Sequence, residues 1–335
     1  MSTRKTILSG ITPSGRLHLG NYFGAMRQHI HMQEEGDAYY FIANYHSLTA
    51  LHDGERIREN SLNIAMDYFA LGLDPEKATF FLQSDVPEVT ELAWILGTYC
   101  PVSLMEKGVA YKDKVAQGMS PNIGLFTYPI LQAADILIYD SDWVPVGADQ
   151  KQNIEICRDL AGKLNHQFGE ELLVLPEPRI VKEVAIVPGI DGRKMSKSYG
   201  NTIEIFDEGS SLKKRVMSIE TDSIPLEDPK DPENCNVYAL LKLFLEPEAQ
   251  EELANTYRAG GYGYGHAKKV LLNEINDYFG EARERRREFE KRPDDVMDML
   301  RTGGQRARVR ARAVMERVRS ATGLLRTVDG LEGTT

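Results

Sequence analysis

Five short apolar runs that do not alternate with polar residues constrain this chain most: TILSGI (6–11), AYYFIANY (38–45), ATFFLQS (78–84), WVPVG (143–147) and VAIVPG (184–189). A strand that is apolar on both faces needs cover on both, which is the situation of a parallel sheet between two helical layers. Helical spacing lies between the runs. Phe23, Met26 and Ile30 share one face after the first run; Leu62, Ala65 and Phe69 share another after the second, behind the turn LHDGE with Asp53 as its cap. Strand, helix, strand at this rhythm predicts a doubly wound α/β sheet.

The rhythm breaks from about residue 88 to 132, where ELAWILGTY, a Lys-rich piece at YKDKVAQG, a turn at SPN and FTYPILQAADIL read as a helical insertion between the halves of the sheet. Beyond about residue 200 strands stop. EGSSLKKRVMSI, VYALLKLFL, EAQEELANTYR, GHAKKVLLNEINDYFGEARERRREFEK and QRARVRARAVMERVRSATGLL are helix-periodic, and in the last of these Ala307, Ala311, Val314, Val318, Ala321 and Leu325 form one stripe bordered by arginines. The predicted division is an α/β domain over 1–200, an α-helical domain over 201–328 and a frayed tail over 329–335.

A net charge of -10 argues against a polyanionic partner for the body as a whole. The distribution qualifies it, since arginines crowd the stretch from Arg283 to Arg319. Cys100, Cys157 and Cys235 are far apart with no CxxC pair, so neither a disulfide framework nor a cysteine zinc site is expected. No apolar stretch approaches the roughly 20 residues that span a bilayer, MSTRKTILSG lacks a signal-peptide core, and the expected location is cytoplasmic.

Chemistry concentrates in two loops. GITPSGRLHLGN (10–21) follows the first strand and opens a helix, where unpaired N–H groups and the helix dipole favour an anion. It matches neither GxGxxG nor the Walker A pattern. Ser14 and His18 are candidate donors, Gly20 permits close approach and Asn21 sits at the helix start; a plain turn shaped by Pro13 and Gly15, with Asn21 as a cap, fits the segment equally well. GRKMSKSYGN (192–201) follows the fifth run and carries Lys194 and Lys197 with Ser196 and Ser198, a set suited to a triphosphate whose charge moves onto pyrophosphate. By itself such a loop is more often solvated surface.

HLGN paired with KMSKS about 175 residues later resembles the double signature of the class I aminoacyl-tRNA synthetases, HIGH and KMSKS. Asn21 in the last position resembles the variant of the tryptophan-specific members, as do GITPSG, NYHSLT, FTYPILQAADIL and VPVGADQKQNIEICRDLA; the similarity runs from about Thr6 to Leu325. The resemblance implies a Rossmann-like catalytic domain, an α-helical anticodon-binding domain, and activation of tryptophan by ATP, with Mg²⁺ on the phosphates, before transfer to tRNA. Thr12, Pro13, Ser14, His18, Gly20 and Asn21 would cradle ATP; Gly147, Ala148 and Asp149 would meet its ribose and adenine side, with Val184 or Ile186 at adenine. Lys194, Met195, Ser196, Lys197 and Ser198 would grip the phosphates, helped by Lys114. Asp135 would accept the indole N–H, and Leu8, Gly10, His46, Tyr128, Gln132, Val144, Val146 and Gln150 would complete the tryptophan pocket. A homodimer through the insertion from Glu88 to Asn122 is implied, as is the absence of any zinc or redox cofactor. Thr12, Gln132 and Ala148 depart from the family pattern, which has glutamine, methionine and glutamate there.

Read from the residues alone, Asp135 is a carboxylate on an apolar helix, needing a partner or a raised pKa. A salt bridge or helix-end contact is the ordinary explanation. His46 lies at the carboxyl end of a strand, where ligands sit in this architecture; a satisfied core histidine fits too. GGYGYGH (260–266) reads as an inter-helix turn, and Glu88, Glu91, Asp140 and Asp142 as exposed cap or turn residues. A tyrosine-specific synthetase, a metabolic nucleotidylyltransferase and a non-catalytic RNA-binding protein are the rival readings.

Overall fold

The computed structural model describes residues 4–106, 122–147, 151–169, 171–180 and 186–324. Five parallel strands form one sheet in the order β3-β2-β1-β4-β5: β1 Thr6–Ile11, β2 Asp37–Ile42, β3 Ala78–Leu82, β4 Trp143–Val146 and β5 Glu177–Ile180. The order turns back beside β1, so the crevice between β1 and β4 is where an open α/β sheet receives ligands.

Four of the five strands fall on the apolar runs. The fifth does not. Among the described residues of VAIVPG, Ile186–Gly189 holds only an isolated bridge between Pro188 and Lys194, and β5 is instead the charged stretch EPRI. The reason is its position: β5 pairs only with β4, at the sheet edge, where a proline is tolerated and no doubly apolar run is required. Arg179 uses that edge to stack on Trp143, 5.0 Å from the ring centroid, and to pair with Glu35 at 2.6 Å.

Helices cover both faces. The first, α1, starts as Leu19–Asn21, passes through a π turn at Tyr22–Met26 and continues as Arg27–Met32. A short α2 (Asn44–Ser47) follows β2, and α3 (Gly54–Ala70) carries the expected cap, with Asp53 accepting the Arg56 N–H. The connection from β3 to β4 is helical: α4 (Glu88–Thr98), α5 (Val102–Glu106) and α6 (Ile123–Leu137), the last capped by Asn122 at 2.8 Å. The Lys-rich piece of this connection lies outside the described residues. Then α7 (Lys151–Phe168) packs beside α6, and after β5 come α8 (Gly209–Met217), α9 (Asn236–Leu241), α10 (Pro247–Ala259), α11 (Tyr264–Lys291) and α12 (Pro293–Thr322). Gly260 and Gly261, at φ of +80° and +78°, make the turn between α10 and α11.

Of the two long helices over 264–322, α12 lies against the sheet and α11 against helices α3, α8 and α9. Gly303 of α12 lies so close to edge strand β3 that a Cβ there would fall 2.0 Å from the Phe80 carbonyl oxygen. Ala307, Ala311, Val314 and Val318 are fully buried along the predicted stripe. Its arginines engage the body: Arg308 and Arg312 meet Glu88 at 2.8 and 3.3 Å, Arg319 pairs with Glu91 and Arg317 with Asp140. Glu88 is therefore a buried acid, 6% exposed, and not the exposed cap residue that its sequence context suggests. On α11, Tyr278 and Phe279 stack edgewise on Tyr22, and the Tyr22 and Tyr278 hydroxyls meet at 3.0 Å, fixing the start of α1 against the C-terminal helices.

A polar cluster lies in the core beneath β1. His29 of α1 is buried between the Ser9 hydroxyl (3.1 Å from Nε2) and the Tyr68 hydroxyl (3.3 Å from Nδ1), and burial lowers its pKa to about 4. In the unfolded chain the ring takes a proton near pH 6.5, so acidification favours unfolding between pH 6.5 and about 4, at about 1.4 kcal/mol per pH unit. Urea midpoints across that window should fall for the parent, and His29→Asn should remove about that much of the slope. An unchanged slope would show that His29 does not contribute to it.

Candidate active site

Two loops meet beyond the carboxyl end of β1. His18 is extended and directly precedes α1. Asn21 turns its side-chain oxygen back to the His18 N–H at 3.2 Å, half of a capping box, so the cap reading of Asn21 holds whatever else it binds. The backbone of Leu17 to Leu19 is bridged to the strap that follows the KMSKS loop: Leu19 donates to the Ile203 carbonyl at 2.9 Å and Ile205 to the Leu17 carbonyl at 3.1 Å. Gly20 keeps the turn close; a Cβ would lie 3.0 Å from the His18 ring and 3.2 Å from Met195, so either side chain would have to give. Its N–H points at the Met195 sulfur, 3.4 Å away.

Lys197 reaches across and donates to the Ser14 carbonyl at 2.6 Å. Partial burial lowers its pKa, against the pull of Glu204 and Asp67. His18 is buried too, and desolvation, helped by the Lys197 charge, brings its pKa down to about 4. At neutral pH the ring is uncharged, one nitrogen a donor and the other an acceptor. Its Nδ1 is buried with no partner among the described residues. A buried polar atom pays for that isolation unless a ligand satisfies it.

The loop itself has internal supports. The Ser196 and Ser198 hydroxyls pair at 2.7 Å. Asn201, 2% exposed, accepts from the Ser196 N–H at 2.8 Å and donates to Asp191 at 2.7 Å and to the Lys194 carbonyl at 3.1 Å. Arg215 of α8 holds the Thr202 and Gly200 carbonyls at 2.6 and 2.8 Å. Neither Asn201 nor Arg215 was singled out by the sequence; only their position just past KMSKS hints at such a duty. Lys194 and Thr12 are exposed and Pro13 is buried. Gly147 closes β4 at the same end of the sheet, and Ile186 is 72% exposed. Lys114, Ala148, Asp149, Gln150 and Val184 lie outside the described residues.

The second half of the site centres on Asp135. Tyr128, Gln132 and Asp135 are spaced four and three apart on α6 and so share a face. Asp135 Oδ2 lies 2.8 Å from His46 Nε2, and Gln83 donates to Oδ1 and Oδ2 at 2.8 and 2.9 Å. Burial raises the Asp135 pKa, opposed first by the hydrogen bond from His46 and also by that from Gln83. Tyr128 meets the His46 ring edge to face at 6.4 Å, and the Gln132 oxygen accepts from Asn153 at 3.0 Å. Leu8 and Val144 are buried in the same apolar cluster, with Val146 packed against it. Gly10 lies under Phe41, whose ring would come within 2.5 Å of a Cβ. Gln83 was missed, its only signal being an amide at the end of an apolar run.

The arrangement can bind an anion at the paired loops and a hydrogen-bond donor at a buried carboxylate. The family model for class I tRNA synthetases of the W and Y type matches residues 2–280. The tryptophan–tRNA ligase of Fusobacterium nucleatum is 55% identical over 96% of this chain and 98% of its own length, and that of Rhodopirellula baltica 52% identical over 95% and 99%. The crystal structure of tryptophanyl-tRNA synthetase from Campylobacter jejuni complexed with ADP and tryptophan superposes with a TM-score of 0.90 at 50% identity, covering 95% of this chain and all of that one. A tyrosyl-tRNA synthetase from Archaeoglobus fulgidus shares the fold, at 23% identity and a TM-score of 0.63. With that identity sustained over nearly the whole chain, the protein belongs to the class I tRNA synthetases for tryptophan and tyrosine, and within them to the tryptophan–tRNA ligases.

Proposed function

We infer that this chain activates L-tryptophan with ATP and transfers it to the tRNA that decodes tryptophan. The observation that carries the assignment of residues is the joining of the two signature loops, Lys197 on the Ser14 carbonyl beside a neutral His18 whose Nδ1 has no partner among the described residues. The tryptophan carboxylate is already ionised at neutral pH, so attack on the α-phosphate needs alignment and charge stabilisation rather than a general base. Pyrophosphate leaves with the P–O electron pair. His18, Lys194 and Lys197 face the charge that develops there, with Thr12, Pro13, Ser14, Gly20 and Asn21 shaping the nucleotide's seat and Gly147 the ribose side. Lys114, Ala148, Asp149, Gln150 and Val184 take their roles from family resemblance. The second step is acylation of the 2′-hydroxyl of the terminal adenosine.

Magnesium would enter on the ATP phosphates and offset their charge. Among the described residues no group of three or more His, Cys, Asp or Glu is placed to hold a metal, and the lysines and N–H groups of the two loops fit an anion. Residues 1–200 serve as the catalytic part and residues 201–328 as the anticodon-binding part, working in the cytoplasm; no described helix is long and apolar enough to cross a membrane. Trp94, Val102 and Ile123, at 76%, 65% and 77% exposure, give the β3 to β4 connection an apolar surface, which supports a homodimer through it. Sedimentation at micromolar concentration giving only the 37.7 kDa species would overturn the dimer. ATP–pyrophosphate exchange measured with each amino acid in turn tests the whole reading: tryptophan alone should support it, and exchange driven by tyrosine would reverse the assignment.

A further inference from the structure

Gln83 follows β3 directly and is 2% exposed. Its amide nitrogen spans both oxygens of Asp135, while its carbonyl oxygen accepts the N–H groups of Tyr45 and His46 at 3.0 and 3.4 Å. Chemistry fixes that orientation, because the reversed amide would set its oxygen against a carboxylate and its donors against two N–H groups. An ionised carboxylate offers about four lone-pair positions. Among the described residues Oδ2 receives His46 and Gln83, whereas Oδ1 receives Gln83 alone. One acceptor position remains, on Oδ1.

We propose that Gln83 is a positioning residue that makes Asp135 selective for a ring N–H, by locking the carboxylate so that a single acceptor direction is left for the substrate. The proposal rests on the reading of Asp135 as the indole acceptor. A carboxylate's terminal torsion is soft and roughly two-fold, so without a clamp Asp135 could turn either oxygen toward the pocket. An amide clamps it without adding charge. A lysine or arginine in the same place would neutralise the acid and compete for the very lone pair that selects the substrate. The two N–H groups that hold Gln83 belong to the turn carrying His46, so both donors to Asp135 are tied to one piece of backbone.

The test compares kcat/KM in exchange for tryptophan and for the analogue whose ring N–H is replaced by sulfur, in the parent, Gln83→Met, Gln83→Glu and Asp135→Ala, each checked by thermal melting. The parent should favour tryptophan by roughly 10- to 150-fold, the range of a hydrogen bond to a charged group, and Asp135→Ala should lose that preference. Gln83→Met keeps the volume and removes the clamp, and the preference should shrink about tenfold or more; a merely structural role would lower both substrates alike. In Gln83→Glu two facing carboxyls share one proton, so tryptophan kcat/KM should gain a fall toward alkaline pH that the parent lacks. A folded Gln83→Met that keeps the parental preference overturns the proposal; if that variant does not fold, a parental pH profile in Gln83→Glu does so. A parent that uses both substrates equally overturns the role of Asp135 itself, and the proposal with it.

Discussion

Lys197→Ala is expected to slow tryptophan-dependent ATP–pyrophosphate exchange by about 10²-fold or more, the scale set by removing one preorganised donor from a developing negative charge. Lys197 bridges the two loops through the Ser14 carbonyl at 2.6 Å, and that bond to a neutral acceptor yields once phosphate oxygens are within reach, because their negative charge adds Coulombic attraction to the ammonium's hydrogen bond. On the proposed reading the lysine is thereby held where the charge will appear. Since the contact strengthens in the transition state, kcat should fall more than KM for ATP rises. Lys197→Arg restores the charge but not the compact shape, and should recover only part of the rate. Near-normal exchange by Lys197→Ala would remove this residue from the reaction.

Asp135→Ala should lower kcat/KM for tryptophan by about 10²-fold, the loss of one hydrogen bond to a charged acceptor in a dry site. Its neighbours are left worse off than its substrate: His46 Nε2 and the Gln83 amide lose their shared acceptor inside the core. A stability loss will accompany the kinetic one, so the diagnostic quantity is the ratio between tryptophan and phenylalanine, not the absolute rate. That ratio should collapse as the buried acid stops penalising substrates without a donor. Should the folded variant activate tryptophan as well as the parent, the indole assignment is wrong.

Strands β1 to β4 were legible because a strand buried on both faces must be apolar throughout, whereas β5 was not, because an edge position relaxes that demand and EPRI looks like loop. The two signature loops were legible as a pair, their spacing matching a pattern no single loop could establish. Gln83 and Asn201 were not legible: an amide can donate or accept anywhere, and its duty is set by neighbours 52 residues away for Gln83 and by the local fold of the loop for Asn201. Glu88 misled for a related reason. Its acidic surroundings suggested solvent, but Arg308 and Arg312, 220 and 224 residues later, bury and balance it. The same pairing accounts for much of the arginine row on α12, which reads in sequence as a basic surface and in three dimensions is partly a set of ties to the body.

Those ties have a consequence for how the chain is made. Edge strand β3 precedes by more than 200 residues the helix that lies against its Phe80 backbone, α12. Until that helix is made the open edge of the sheet lacks its cover, the condition under which strands recruit the wrong partner. Closure must wait for contacts separated by more than 200 residues, the kind of ordering that slows folding. A chain halted before residue 293 would lack α12 and leave the flank of the sheet at β3 unguarded.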